Sequence, residues 1–279
     1  DDAMTRLTAP RAPITSLDMT APQIMGILNV TPDSFSDGGQ HFDPAQALAH
    51  AHAMTRAGAA ILDVGGESTR PGAAPVQIDD EIRRTAPVIA AIRAEIATPI
   101  SIDTRKTPVA QEAARVGANL INDVAGFTFD PTLAPFASEN ALPVCVMHAQ
   151  GSPETMQRDP RYDDVALDVF DWLGQRVEAL IALGIPRGRI VVDPGIGFGK
   201  TQAHNLRLLQ NLSLFHGLGC AVLLGASRKR FIGDISNTPQ ASDRIPGSLA
   251  VALGGVAQGV QILRVHDVAP TVDAVNMTW

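Results

Sequence analysis

One frame recurs along the chain and limits what it can fold into. Arg56-Ala-Gly58-Ala-Ala-Ile-Leu-Asp63-Val and Arg115-Val-Gly117-Ala-Asn-Leu-Ile-Asn122-Asp-Val share it, and Gly259-Val-Gln-Ile-Leu-Arg264-Val fits it more loosely. In each, a glycine ends a helix and a short apolar run finishes on a polar residue five positions later. That is one helix-to-strand unit used repeatedly.

The same reading extends over the chain. Ile24–Asn29, Ala60–Val64, Ile100–Asp103, Leu120–Asp123, Val144–Met147, Ile190–Asp193, Val222–Leu224 and Ile262–Val265 are short apolar runs that do not alternate. Strands covered on both faces read this way, as in parallel sheets. Helix punctuation lies between them. Asp43 with Pro44 opens a helix closed by Gly58, and Thr107 with Pro108 opens one closed by Gly117. Asp79 and Asp80 open a third, which Pro87 should kink. A long amphipathic helix runs from about Asp163 to Leu183. Ser242 or Asp243 starts another, and the last follows Val268. Alternating strands and helices without a linker predict an α/β fold, a single-domain TIM (β/α)8 barrel over residues 21–279. A doubly wound open sheet is the alternative. Residues 1–20 are rich in Thr, Pro and Ala without periodicity and are expected to be a flexible N-terminal tail.

A net charge of −7 argues against nucleic acid or an anionic membrane surface as partner. It leaves room for a small anionic substrate in a local basic pocket. Cys145 and Cys220 both lie in apolar runs and are expected as reduced core thiols. No stretch reads as a membrane span; Ile245–Val265 comes nearest but is broken by Gly254, Gly255, Gln258 and Gln261. The N-terminus has no signal pattern, so a cytoplasmic setting is expected.

The chemistry collects at strand ends. Strand one runs into Asn29, and strand two into Glu67-Ser-Thr69-Arg70. Strands three to six end at Asp103, at Asn122 and Asp123, at Met147 and His148, and at Asp193. Strand seven runs into Ser227-Arg228-Lys229, and strand eight ends in Arg264 and His266. One polar strand end is as easily a cap as a catalyst. Polar ends on nearly every strand point to the C-terminal rim, where barrel enzymes build their sites. The first loop, Asn29 to Gly39, carries Phe35, Ser36 and Asp37 and is long enough for a lid. Asp193-Pro-Gly195-Ile-Gly197-Phe198-Gly199-Lys200 lacks the glycine order of a nucleotide-phosphate loop. Ser227-Arg228-Lys229 suits either a phosphate site or a Schiff-base lysine. His148 is a ligand, a base or, more simply, a hydrogen-bonded strand end.

Together these blocks resemble the dihydropteroate synthase family over about residues 24–268. Asn29-Val-Thr-Pro-Asp-Ser-Phe-Ser-Asp-Gly-Gly39 and Asp63-Val-Gly-Gly-Glu-Ser-Thr-Arg-Pro-Gly72 carry the resemblance most specifically. The resemblance implies a barrel that condenses 4-aminobenzoate with a dihydropterin methyl diphosphate, giving 7,8-dihydropteroate and pyrophosphate, and that is a target of sulfonamides. It implies a pterin pocket of Asp103, Asn122, Asp193 and Lys229 with Met147 and Phe198. It implies diphosphate contacts from Thr69, Arg264 and His266, and Asn29 as a ligand of Mg2+. The lid and aminobenzoate side would hold Phe35, Ser36, Asp37, Arg70 and Pro71. Catalytic work would fall to Asn29, Lys229, Arg264 and His266, and the protein would be a homodimer.

Residue chemistry agrees with that pocket. Asp193 accepts from pterin donors, Asn122 both gives and accepts, and Arg264 can lie against the ring. Loss of pyrophosphate before amine attack, with the pterin ester binding first, is the expected mechanism. One position departs from the family: Arg230 stands where many relatives have Ser after Ser-Arg-Lys. A corrinoid-dependent methyltransferase on the same barrel, a Schiff-base aldolase using Lys229, and a pterin-binding protein without turnover are the alternatives.

Overall fold

The computed structural model describes residues 10–32, 34, 43–69, 72–151 and 155–278. Eight parallel strands close into a barrel in sequence order: β1 (Gln23–Asn29), β2 (Ile61–Gly65), β3 (Ile100–Asp103), β4 (Leu120–Asp123), β5 (Val144–Met147), β6 (Ile190–Asp193), β7 (Ala221–Leu224) and β8 (Ile262–Val265). β8 pairs with β1, so the open-sheet alternative is excluded. The described helices are α1 (Pro44–Arg56), α2 (Ile78–Glu95), α3 (Thr107–Arg115), α4 (Leu133–Glu139), α5 (Val165–Ala182), α6 (Gln202–Gln210), α7 (Arg230–Ser236), α8 (Ile245–Ala257) and α9 (Val268–Asn276).

The strand runs fall within one residue of their expected bounds. Asp43 caps α1 by accepting from the Ala45 N–H, with Pro44 at the first helical position. Asp164 caps α5 in the same way, accepting from Ala166 and Leu167. α2 continues through Pro87 to Glu95 as one helix. α4, α6 and α7 were not expected. They are 7 to 9 residues long, too short for an amphipathic period to stand out.

Two apolar cores result. The larger lies between the barrel wall and the helices and takes Ile100 and Ile102 of β3, Val144 and Val146 of β5, and Ile190 and Val192 of β6. The smaller is inside the barrel, built from Met25, Ile61, Leu120, Cys145, Val191, Leu223 and Ile262. Side chains on a strand alternate between faces, so the residue two further along also points inward. From Ile61, Leu120, Cys145, Val191 and Ile262 that step leads to Asp63, Asn122, Met147, Asp193 and Arg264. On β3, Ser101 leads to Asp103. Barrel alternation thus sets a polar floor on an apolar layer.

The expected tail needs correction over residues 10–20. Ile14 and Leu17 form an isolated antiparallel bridge, with Thr15 and Ser16 at positive φ between them. Ile14 and Met19 are buried against the inner apolar layer, with Leu17 packed beside them. Arg11 donates to the Cys220 carbonyl at 3.1 Å and the His216 carbonyl at 2.7 Å. This segment plugs the barrel end opposite the polar floor. Two or three apolar residues inserted from a turn have no period to read. Replacing Ile14 with Ala should lower stability by about 2 to 5 kcal/mol. Urea unfolding with an unchanged slope would register it, and an unmoved midpoint would refute the plug.

Both cysteines are buried and free, as expected of core thiols. No described helix is long and apolar enough to cross a membrane.

Candidate active site

The floor is built around one guanidinium and four polar strand ends. Arg264 donates through Nε to Asp63 Oδ2 at 2.7 Å and through Nη2 to Asp103 Oδ2 at 3.0 Å. Asn122 Nδ2 donates to the same Asp63 oxygen at 3.3 Å. Asp63, Asp103, Asn122 and Asp193 are all buried. Burial and the neighbouring Asp63 charge push the Asp103 carboxyl well above its usual range, against the pull of Arg264. The Arg264 guanidinium is buried too, but Asp63 and Asp103 more than offset that penalty and hold it charged. Arg264 Nη1 has no hydrogen-bond partner among the described residues.

Asp193 Oδ1 accepts from the Gly195 N–H at 2.8 Å, and Oδ2 has no hydrogen-bond partner among the described residues. Lys229 reaches across from the β7 loop, donates to the Ile196 carbonyl, and sits 4.5 Å from the Phe198 ring centroid. Burial brings its ammonium down to about 7, although the Asp193 charge opposes this. Met147 is buried at the end of β5. Asn29 ends β1, and its side-chain oxygen has no hydrogen-bond partner among the described residues. That oxygen stands 3.7 Å from where a Cβ on Gly65 would lie, with Asp103 Oδ2 at 3.6 Å. Gly65 therefore keeps the space between Asn29 and Asp103 clear.

His266 Nδ1 meets Ser227 Oγ at 2.9 Å, joining the ends of β8 and β7. Between Ser227 and Lys229, Arg228 adopts a left-handed φ of 58°. Its side chain grips both oxygens of Asp267, at 2.9 and 2.6 Å. Ser248 Oγ takes its N–H and Arg244 donates to its carbonyl. Arg228 is thus committed to holding the loop, which directs Ser227 and Lys229 to their partners. Arg230 opens α7 with its side chain 90% exposed beside Asp234, so the departure from the family's Ser points outward.

A cavity of about 500 Å3 opens beside the floor, with Thr69, Arg105, Phe129, Trp172 and Phe198 among its walls. Thr69 and Phe198 thus face one space. Phe35, Ser36, Asp37, Arg70 and Pro71, the expected lid and aminobenzoate contacts, lie outside the described residues.

His148 resolves to the simplest of its three readings. It is buried, its Nδ1 is 2.9 Å from Lys200 Nζ, and Trp172 packs edge-on at 5.0 Å. Burial and Lys200 push its pKa down to about 3, so the ring is neutral and shares a hydrogen bond with Lys200. The glycine-rich stretch before Lys200 serves backbone packing. A Cβ on Gly195 would fall 1.8 Å from the His148 carbonyl oxygen. α6 then starts with its own capping box, Thr201 with His204.

Sequence reading missed two groups. Asp63 was visible only as part of a motif, although the two-residue step from Ile61 identifies it. The other is a buried ion cluster under the β2 loop. Lys106 Nζ donates to Glu67 Oε2 at 2.8 Å, Glu81 Oε2 at 2.6 Å and the Val76 carbonyl at 2.7 Å. Glu67 also accepts from the Val76 N–H. The two ends of the loop carrying Thr69 are tied together there. No sequence spacing links Lys106 to Glu67.

Among the described residues there is no cluster of three His, Cys, Asp or Glu able to hold a metal by itself.

Comparison with known proteins identifies the family. The family described as "Pterin binding enzyme" matches residues 25–266. The dihydropteroate synthase of Escherichia coli K12 is 48% identical over 263 residues, 94% of this chain and 93% of that protein. The Yersinia pestis dihydropteroate synthase, solved with a sulfonamide drug complex, superposes with a TM-score of 0.89 at 46% identity, covering 94% of each chain. The Xanthomonas albilineans dihydropteroate synthase, solved with 4-aminobenzoic acid, gives a TM-score of 0.90 at 42% identity over 97% of each chain. With nearly full-length matches and the closed barrel beneath them, the chain belongs to the dihydropteroate synthase family of pterin-binding enzymes.

Proposed function

We propose that this chain condenses 4-aminobenzoate with (7,8-dihydropterin-6-yl)methyl diphosphate, forming 7,8-dihydropteroate and pyrophosphate. The observation that carries the assignment to particular residues is the floor of Asp103, Asn122, Asp193 and Lys229 gathered about Arg264. A pterin edge alternates donors with acceptors, and this floor alternates carboxylates and carbonyl with amide and ammonium. Asp193 Oδ2 accepts from ring and amino N–H groups, and Lys229 donates to ring acceptors. Met147 and Phe198 supply apolar walls.

The bond between the exocyclic carbon and the diphosphate oxygen breaks first, and the electron pair leaves with pyrophosphate. Arg264 Nη1, Thr69 and His266 receive the departing charge. The dihydropterin ring stabilises the carbon cation, the 4-aminobenzoate nitrogen attacks it, and the ammonium formed loses one proton. Phe35, Ser36, Asp37, Arg70 and Pro71 are proposed for the lid and aminobenzoate side. Asn29 would hold Mg2+, and its unpartnered oxygen over the clearance at Gly65 fits a hard cation that takes its remaining ligands from phosphate and water. When bound, the ion neutralises diphosphate charge. Sulfonamides are expected to compete with 4-aminobenzoate. The protein is proposed to work as a cytoplasmic homodimer, and sedimentation would test the assembly.

The assignment is tested by mixing both substrates with protein and Mg2+ and following pyrophosphate release. Absence of release from folded protein would overturn it. The aldolase alternative requires a Lys229 adduct trapped by borohydride with a carbonyl substrate, and none is expected.

Activity should depend on the Lys229 proton. Its charged form is lost as pH rises through about 7. In the free enzyme, kcat/KM for the pterin ester should fall on that limb, and Lys229→Arg should move the limb upward. Stability has the opposite sign. An unfolded lysine titrates near about 10.4. Between about 7 and there the unfolded chain holds the extra proton, so this group makes stability rise with pH. A kcat/KM profile flat from pH 6 to 9 would contradict the role.

A further inference from the structure

The groups expected to touch the pterin do not orient themselves. Arg264 could rotate about its long side chain, and the Asn122 amide could present either end to a ligand. Both converge on Asp63 Oδ2, Arg264 from 2.7 Å and Asn122 from 3.3 Å. The Asp63 side chain has no exposed surface, whereas Arg264 retains 21%. Asp63 therefore cannot meet a ligand in the mouth, but two groups that can are bonded to it.

We propose that Asp63 is a positioning residue that sets the hydrogen-bonding polarity of the pterin floor through Asn122 and Arg264. An ionised carboxylate only accepts hydrogen bonds. Asn122 must therefore turn its NH2 end to Asp63, and its carbonyl oxygen is left for the ligand. The floor then offers an acceptor at Asn122, suited to a pterin N–H. On Arg264, Nε is bonded to Asp63 and one Nη2 proton to Asp103. The guanidinium plane is held by two carboxylates on adjacent strands, and Nη1 remains for the substrate. In Asp63→Asn the oxygen kept at the Oδ2 position could still accept from both groups, but without the carboxylate charge, and its NH2 would fall where Oδ1 now has no hydrogen-bond partner. Both bonds weaken, and the hold on Asn122 and Arg264 loosens.

The two carboxyl groups share Arg264 and also act on each other through charge. The charge on Asp63 is among the causes that hold Asp103 in its protonated range. Other charges facing Asp103 are Arg264, which opposes this, and Asp123 and Glu81, which add to it. Removing the Asp63 charge should let Asp103 ionise at lower pH. Asp63 would thus decide whether Asp103 presents an O–H or a bare carboxylate to the ring.

This inference rests on the pterin reading above, and the test separates the two. Binding of 6-hydroxymethylpterin is titrated by fluorescence for the wild-type protein and for Asp63→Asn, and steady-state kinetics are measured on both across pH. Loss of binding in folded wild type would refute the pterin reading itself. If wild type binds, Asp63→Asn should weaken pterin binding and raise the KM for the pterin ester by roughly tenfold or more. The KM for 4-aminobenzoate should stay within about threefold, and the limb in pterin binding from Asp103 ionisation, expected at about 8 in the wild type, should shift to lower pH. A merely structural role would reduce the active fraction and leave both KM values and the limb in place, which would overturn the proposal. Should Asp63→Asn not fold, NMR of the wild-type Asn122 side-chain amide decides. One of its NH2 protons should be downfield and slow to exchange both before and after the pterin is added. A rapidly exchanging pair in both states would overturn the proposal.

Discussion

Asp193→Asn should lower kcat/KM for the pterin ester by about a hundredfold to a thousandfold, which is about 2.7 to 4 kcal/mol of transition-state stabilisation. The substitution conserves shape, and its oxygen can still accept from the Gly195 N–H as Oδ1 does now at 2.8 Å. What changes is the other end, where an NH2 group replaces an acceptor in a buried site facing substrate donors. Two donors then oppose each other with no water to relieve them. Sites built around a required hydrogen bond lose most when that bond cannot form. Lys229 also loses the opposing charge that holds its ammonium up, so its proton should leave at still lower pH. Kinetics with both substrates, with circular dichroism to confirm folding, measure this. A kcat/KM within threefold of wild type would remove Asp193 from the floor.

The second large effect is expected at a distance from the pterin. Lys106→Met should destabilise the protein by about 3 to 5 kcal/mol. Lys106 is buried between Glu67 and Glu81, and its removal leaves the buried Glu81 without a cation and the partly buried Glu67 with Arg105 alone. Burial alone would raise the Glu67 carboxyl; the Lys106 bond, the Val76 N–H and the Lys106 and Arg105 charges instead bring it below its usual value. By linkage, a carboxyl held low stabilises the fold above its unfolded pKa, and that contribution is lost as pH falls through the folded one. The deficit of Lys106→Met should therefore shrink on acidification. Because Glu67 and Lys106 join the ends of the loop carrying Thr69, the KM for the diphosphate substrate should rise as well. Urea unfolding at two pH values and KM at saturating 4-aminobenzoate check both parts. A loss below 1 kcal/mol would mean the cluster is an exchangeable surface network.

Strands were legible because parallel barrel strands are apolar on both faces and stop on polar residues. Helices were legible for local reasons too, by the cap at Asp43 and by the amphipathic run from about Asp163, which the structure shows capped by Asp164. The polar strand ends named most of the floor in advance, since a strand end is a local feature and the barrel rim collects all of them. The N-terminal plug was read as a tail because its contacts are made by isolated side chains in an irregular turn.

The sequence by itself determined the alternation of units, the closed barrel as the preferred outcome, and the inventory of Asp103, Asn122, Asp193, Lys229, Arg264 and His266. These follow from periodicity and residue chemistry, both of which act over a few residues. Only the tertiary structure decided which groups share a proton or a hydrogen bond. Arg264 meets Asp63 across 201 positions and Lys106 meets Glu67 across 39. Such pairings arise from strand register and barrel closure, which no local pattern encodes. That is why Asp63 remained a motif residue in the sequence and became, in the fold, the group beneath the site on which both Asn122 and Arg264 are held.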